Sequence, residues 1–532
     1  VWAFFWIGWG TLVAAKLRRH PSRMHNDTEQ SVASKRLAVH PDIYELNNFV
    51  VSQGPPSGFS RGYSIESYFG QVNYDYDKKY FLTASVRRDG SSRFINEKWG
   101  TFGSVGAAWV ITNEDFMSGN GVFDFLKLKA SYGVTGDQAV DDEDYYIAYD
   151  TYDINNLNDR ISLSIRDNGN PDLTWETSKM FQTGVEFGLG RYLDGVVDFY
   201  SKKTDNLIFE RRVGPSQGIA IVTVNDGELL NQGIEFNLTS HIFNKEDFKL
   251  DFSINGSHIN NEILTMPLEP STGEPRILDT SSTPYGYSKG SSIYDFYIRE
   301  WAGVNPENGV GQYYQYFNDA NGNGTLDDGE DGIADMMAYM DENPDANIER
   351  QITETYADAT QKYVGKSGIP DLFGAFRLAA QVKNFDFSAQ FTYSVGGWAM
   401  DNQYSELMSD NFGAASTNFH KDISQRWQNP GDVTDVPRLD DATGQDQRVG
   451  TTRWLTSTDY LAFNNAKIGY TLPKKDIERM GLKNVNIWLS GDNLAIKTAR
   501  QGFNPSVREN GASARRIYAP LTTVTLGVRV KF

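Results

Sequence analysis

Residues Tyr68 to Val86 read YFGQVNYDYDKKYFLTASV. Tyr68, Gly70, Val72, Tyr74 and Tyr76 fall on one face of an extended chain, and Gln71, Asn73 and Asp75 on the other. After Asp77, Lys78 and Lys79 the pattern returns, with Tyr80, Leu82, Ala84 and Val86 set against Thr83, Ser85, Arg87 and Asp89. A period of two with one apolar face predicts two β-strands joined by a tight turn. The next link, through Asp89-Gly90-Ser91-Ser92-Arg93-Phe94, is longer, and the alternation resumes from Gly100 to Ile111.

The same grammar recurs along the chain. It predicts strands at Leu126 to Thr135, Met180 to Leu189, Val196 to Leu207, Gly233 to Phe243, Phe248 to Ile259 and Leu372 to Val382. Further strands follow at Phe385 to Val395, Leu461 to Leu472, Val485 to Leu494 and Thr522 to Phe532. With less regular runs near Ile293 to Val304 and Gly311 to Phe317, the count is about fourteen. Short turns, such as Asn244 to Asp247 and Lys383-Asn384, alternate with long polar links such as Asp137 to Glu176, Asp319 to Pro370 and Met400 to Thr458. Short turns at one end and long loops at the other are the asymmetry of transmembrane β-barrels, whose strands need ~9 to 11 residues to cross the bilayer. Charges on the polar face (Lys127, Lys129, Glu186, Glu235, Lys249, Asp251) suit a wet lumen. Aromatics near strand ends (Tyr74, Tyr76, Tyr80, Phe199, Tyr460, Tyr470) suit interfacial girdles.

Composition agrees. The chain has 532 residues, a net charge of −19, no cysteine and 6 histidines. The acidic balance argues against nucleic acid as a partner. The missing cysteines exclude disulfides, thiolate nucleophiles and Cys-ligated metals. Aromatics at 13% beside 49 glycines suit pleated strands and turns. A mean hydropathy of −0.49 excludes a helical membrane bundle but not a barrel, whose strands show lipid only at every second residue. Val1 to Ala15 is apolar, with its charges after the run, which makes a poor signal peptide. Residues 1–23 stay unassigned, as a barrel strand or as sequence outside the fold, and 24–532 form the barrel portion.

Several segments in order resemble the C-terminal part of a SusC/RagA-type TonB-dependent outer-membrane transporter. They include SYFGQVNYDYDKKYFLTASVRRDGSSRF (Ser67 to Phe94), WGTFGSVGAAWVITNEDFM (Trp99 to Met117), LKLKASYGVTGDQ (Leu126 to Gln138) and NPDLTWETSKMFQTGVEFGL (Asn170 to Leu189). DYLAFNNAKIGYTLP (Asp459 to Pro473), NIWLSGDNLAI (Asn486 to Ile496) and the closing LGVRVKF fit as well. The resemblance spans about Met24 to Phe532 and implies an all-β antiparallel barrel of about 22 strands, of which this chain supplies about 14. It implies short periplasmic turns, long extracellular loops and a Gram-negative outer-membrane location. It also implies TonB-dependent import of oligosaccharides or peptides beside a SusD-like surface lipoprotein. A plug domain, the segment that contacts the TonB complex and about eight strands are not found in the sequence. A second chain supplies them, or the sequence is a fragment of a longer one.

One motif points to a cation. DANGNGTLDDGE, Asp319 to Glu330, fits D-x-[DN]-x-[DN]-G-x5-E at every position. Asp319, Asn321 and Asn323 take positions 1, 3 and 5, Thr325 offers its backbone carbonyl, Asp327 follows, and Glu330 closes the shell. Oxygen donors at this spacing suit Ca2+. A polar turn between strands is the other reading. No helical pattern precedes the loop. The acidic run Asp141 to Asp144 reads as a solvated loop. Pairs such as Glu228 and Glu235, or Asp440 and Asp441, have no spacing that defines a glycosidase pair. No G-x-S-x-G elbow and no P-loop appears, so the chain reads as a non-enzyme without a catalytic residue. Loop aromatics (Tyr145, Tyr146, Tyr285, Tyr287, Tyr313, Tyr314, Tyr316, Trp398, Trp427, Trp454) are candidates to stack on substrate or to pack the loops. The alternative to import is a soluble or surface-attached β-rich glycan-binding protein with a calcium-stabilised loop. A β-rich glycoside hydrolase is a third reading.

Overall fold

The computed structural model describes residues 2–7, 11–16, 18–32, 35–38, 48–52, 57–138, 146–212, 221–268, 283–408, 418–439, 450–507 and 520–532. Among them fourteen strands form one antiparallel sheet. In chain order these are β1 (Arg18–Val32), β2 (Ser57–Tyr76), β3 (Tyr80–Ser91), β4 (Trp99–Val110), β5 (Phe125–Asp137), β6 (Glu176–Leu189) and β7 (Leu193–Arg212). Then follow β8 (Ile221–Asn244), β9 (Phe248–Thr265), β10 (Leu372–Val382), β11 (Phe385–Val395), β12 (Tyr460–Thr471), β13 (Asn484–Thr498) and β14 (Thr523–Lys531). Each strand pairs with its neighbours in the chain, an up-and-down barrel topology.

The strand count agrees with the sequence, but its membership differs. Ile293 to Val304 and Gly311 to Phe317 do not enter the large sheet. Asp295–Arg299 pairs with Gln361–Ser367, and Trp301–Val304 joins a four-stranded loop sheet with Gly311–Asn318. Their apolar residues are buried inside the loops, which gives the same alternation without a membrane. β9 pairs directly with β10 in their stead, and the remaining strand is β1 at the edge of the sheet, whose RRHPSRMHNDTEQSV has no such alternation and is held by backbone pairing with β2. The 23/24 boundary falls within this strand. Trp2–Ile7 and Thr11–Lys16 make a separate hairpin.

Register fixes the faces, because residues paired across an antiparallel ladder point to the same side. Tyr80, Leu82 and Val86 on β3, Val105 on β4, Leu128 and Tyr132 on β5 and Phe199 on β7 expose their side chains on one face. On β10 to β12 that face carries a ladder in which Phe376 lies 4.8 Å from Phe391, and Phe391 4.6 Å from Phe463. Aromatics mark the edges of this band. At the short-turn end Tyr80 lies 6.3 Å from Tyr76 and 6.4 Å from Trp109, and Phe385 4.6 Å from Tyr470. Toward the long-loop end Tyr68 lies 6.2 Å from Trp99, under the Arg88 guanidinium. Tyr80 to Arg88 is ~27 Å of strand, or ~21 Å of height at a tilt of ~40°, close to the apolar band of a membrane barrel.

The opposite face is polar. Lys127 meets Glu186 at 3.2 Å, Lys129 meets Asp198 at 3.1 Å, and Lys467 meets Asp386 at 3.2 Å. Short turns close one end of the sheet. Asp77 and Lys78 adopt positive φ, and the Lys78 N–H donates to the Asp75 carboxylate. At the other end the long segments between β9 and β10 and between β11 and β12 fold together. Phe296, Ile298, Met400, Met408, Val436 and Trp454 are the buried core of this loop body. A second cluster of Phe94, Phe102, Ala148, Leu173 and Trp175 lies beside β3 to β6.

Candidate functional site

Where the loop body meets the polar face of the sheet there is a cavity of about 560 Å³. Its floor comes from inward positions near the loop ends of five consecutive strands: Asn231 on β8, Asn261 on β9, Phe373 on β10, Ser394 on β11 and Tyr460 on β12. The pairings Asn231↔Asn261, Phe373↔Ser394 and Ser394↔Tyr460 hold these side chains on one face. Its roof is Ile293, Ile369, Pro370 and Thr458 from the loops. Asn261 anchors roof to floor. Its Nδ2 donates to Asn231 Oδ1 at 2.7 Å, while its Oδ1 accepts from the Ser292 hydroxyl and the Ile293 N–H, both at 2.9 Å. Thr458 is buried, and among the described residues its hydroxyl has no hydrogen-bond partner.

The loop body that carries the roof is built around buried polar links. Asp401 is 1% exposed, and the Arg500 guanidinium donates to its carboxylate through both Nε, at 2.9 Å, and Nη2. The same guanidinium lies over Tyr404. Asp335 caps the helix Met336–Glu342 by accepting from Ala338 N–H, and also accepts from the Tyr297 hydroxyl at 2.5 Å. Burial, reinforced by that carboxylate, holds the Tyr297 phenol well above its ordinary range. Burial with Tyr294 and Tyr287 nearby pushes Tyr285 up to about 12.

The Asp319 to Glu330 segment follows the loop strand Gly311–Asn318, so no helix precedes it. Its six candidate ligands are drawn into one hydrogen-bonded loop. The Asp319 carboxylate accepts from the N–H groups of Gly322, Asn323 and Gly324, at 2.8, 3.1 and 2.8 Å. The Asp327 carboxylate accepts from the side-chain amides of Asn321 and Asn323, which hold it below the usual carboxylate range. Thr325 donates its hydroxyl to Asn323 Oδ1, and Glu330 accepts from Ala320 and Asp327 N–H. Gly322 and Gly324 supply the positive φ that the sharp turn requires. Among the described residues no three His, Asp or Glu side chains gather as a ready-made metal cluster.

Other candidates separate. Glu228 pairs with Lys203 at 3.0 Å, while Glu235 lies seven residues along β8 on the opposite, polar face, so the sheet keeps the two carboxylates apart. Asp141 to Asp144, Tyr145, Asp440 and Asp441 lie outside the described residues. Most loop aromatics pack the loops. Tyr313 is buried against Trp301 and Tyr356, Trp454 is buried in the core, Tyr316 donates to Glu300, and Trp427 donates to the Pro306 carbonyl. The cavity residues were missed in the sequence. The signal that finds them is parity: neutral inward positions at the long-loop ends of adjacent strands.

The family model described as TonB dependent receptor-like, beta-barrel, matches residues 33–494. The TonB-dependent receptor P3 of Formosa agariphila is 28% identical over 496 residues, covering 90% of this chain and 46% of the relative. The TonB-dependent receptor SusC of Bacteroides thetaiotaomicron is 28% identical over 351 residues, covering 63% of this chain and 31% of the relative. The RagAB peptide importer in its 'closed-closed' state superposes with a TM-score of 0.78 at 25% identity, covering 100% of this chain and 55% of that one. The chain thus spans about half the length of the curated relatives it matches. With the register, the apolar band and the loop asymmetry described above, these matches show that the chain belongs to the TonB-dependent receptor-like β-barrel family, among outer-membrane receptors of the SusC and RagA type.

Proposed function

We propose that the chain forms the wall and outer mouth of an outer-membrane importer that takes up oligosaccharides or peptides in a TonB-dependent manner, in concert with a SusD-like surface lipoprotein. The observation that carries this reading is the neutral cavity between the loop body and the polar face of an apolar-banded sheet. It gives a solute a place to bind at the long-loop end, above a lumen lined by paired charges. No residue takes part in a covalent step. Import follows from binding at the mouth, energised opening of a path, and passage along the polar face. The test is uptake of labelled peptide or oligosaccharide mixtures by cells with and without the gene, before and after collapse of the proton-motive force. Uptake that needs both the gene and the force supports the reading, and uptake indifferent to either overturns it.

The Asp319 to Glu330 loop is proposed to bind Ca2+, with carboxylates from Asp319, Asp327 and Glu330 and amide oxygens from Asn321 and Asn323. The support is a complete set of oxygen donors on a turn already bent around them. Calorimetric titration with Ca2+ is expected to show one site that Asp319→Ala abolishes. An unchanged isotherm in that variant counts against the loop as the site.

A further inference from the structure

We propose that the outward face of β3 to β7 holds one phosphorylated glycolipid of the outer leaflet, with its phosphates on Arg88 and on the Lys179 and Lys203 pair and an acyl chain in the groove below them. The inference rests on the membrane-spanning barrel and is independent of what is imported.

The outward face changes character at one height. On β3 its positions run Tyr80, Leu82, Ala84, Val86 and then Arg88. Across the ladder Val86 pairs with Gly103, Gly103 with Val134, Val134 with Lys179, and Lys179 with Lys203, so both lysines point outward. Arg88 stands eight residues above the short-turn end of its strand at Tyr80, Lys179 ten above Leu189, and Lys203 ten above Leu193. At ~3.3 Å per residue and a tilt of ~40° these positions are ~20 to 25 Å up, at the top of the apolar band and the level of the outer-leaflet headgroups. No outward position below them on β3, β6 or β7 is charged.

Arg88 makes no ion pair among the described residues, and its guanidinium lies 5.7 Å from the centre of the Trp99 ring, which steadies its planar fork at the membrane surface. Lys179 and Lys203 bracket the Asp205 carboxylate at 2.6 and 3.0 Å, and Lys203 also meets Glu228 at 3.0 Å. The Asp205 side chain is 12% exposed and the two lysines 47% and 39%, so one carboxylate holds two ammonium heads together at the lipid surface. Each ammonium has three donors. These contacts use one on Lys179 and two on Lys203, and the rest are open to a phosphate.

The groove lies beneath. It holds about 770 Å³ and is lined on the outward face by Leu82, Ala107, Ala130, Val185, Phe199 and Ile234. Leu82, Ala107 and Ala130 fall in one paired row that continues through Thr183 to Phe199 and Ile234. Thr183 and Phe199 sit four residues below Lys179 and Lys203, ~13 Å of strand, within reach of an acyl chain from a headgroup held at that pair. A passing lipid leaves part of this concave wall without contacts, whereas a chain anchored through its phosphate fills it.

The experiment uses the full-length protein extracted from outer membranes and stripped of lipid in detergent. Native mass spectrometry follows titration with diphosphorylated lipid A, with the same lipid after removal of both phosphates, and with dioleoylphosphatidylglycerol. One lipid A per protein is expected, bound at least about tenfold more tightly than either comparison lipid. The double variant Arg88→Gln, Lys179→Gln is expected to weaken lipid A about tenfold, and Ala130→Trp, which fills the groove and leaves the cations, about fivefold. An unchanged heat-modifiable band on gels shows that each variant is a folded barrel. Dephosphorylated lipid or phosphatidylglycerol bound as tightly as lipid A, or either variant binding lipid A like the parent, overturns the proposal. Energised uptake is a separate readout, so the import reading and the lipid site stand or fall independently.

Discussion

Asp401 and Arg500 show what one buried charge pair does for the outer mouth. Asp401 sits at the head of the helix Asn402–Met408, and Arg500 arrives from the link after β13, so the contact ties two long loops together. Removing the cation leaves a carboxylate that is 1% exposed without its guanidinium. Arg500→Ala is expected to destabilise the loop body by about 3 kcal/mol. Limited proteolysis of the loops in intact protein checks it, with faster cleavage expected there and an unchanged barrel core. Tyr285 gives a second residue-scale expectation. Its phenol is raised from 10.0 to about 12, first by burial. A group whose folded-state value is raised contributes stability that is fully present below the ordinary range and lost as pH rises through the folded value. The loop body should therefore hold to about pH 10 and loosen between 10 and 12 as Tyr285 ionises. Phenolate absorbance during an alkaline titration measures this, and Tyr285→Phe should remove a late-titrating component.

At the scale of elements, the tight turns and the loop helix set local stability. Lys78 holds a positive φ of 53°, which costs a side-chain-bearing residue and costs glycine little. Lys78→Gly is expected to stabilise by about 0.5 to 1 kcal/mol, read as a higher denaturant midpoint with an unchanged slope. Asp335→Ala removes the cap of Met336–Glu342 and the acceptor of the Tyr297 hydroxyl together. It should cost the loop body about 2 kcal/mol, visible as a lower melting temperature in near-ultraviolet circular dichroism. The barrel strands were legible in the sequence because each carries its own evidence, an apolar face toward lipid and a polar face toward water, repeating every second residue. β1 was not legible, because RRHPSRMHNDTEQSV has no such pattern and its place is set by the partner strand. The Ile293 to Val304 run misled for the converse reason, since burial inside a folded loop produces alternation as readily as a bilayer does. The Asp319 to Glu330 segment was legible as a polar turn because its Asn, Gly and Asp positions are contiguous, and the cation it would hold is a proposal. The cavity was not, because it gathers single residues from five strands, and nothing in the chain marks which neutral inward positions end up under a roof.

Taken as a whole, the sheet divides an apolar exterior from a polar interior, and adjacent residues on one strand test that division. Ala84 lies on the outer face midway along β3, and Thr83 on the inner face. Ala84→Arg is expected to destabilise the membrane-inserted protein by about 2 to 4 kcal/mol, while Thr83→Arg is tolerated. Urea unfolding in liposomes compares the two, and equal effects would mean that the faces are wrongly assigned. The nearest-neighbour order of the fourteen strands also has a mechanical corollary. No strand is pinned beneath a later one, so a pull on Phe532 from the short-turn side should draw out β14, then β13, then β12, like a zip. Each rupture would release the slack of the loop behind it, and the longest extension would come when β10 lets go of β9 and the whole segment between Thr265 and Leu372 pays out. A force–extension trace on single molecules in a bilayer would read the loop lengths as a bar code, in reverse order of the sequence.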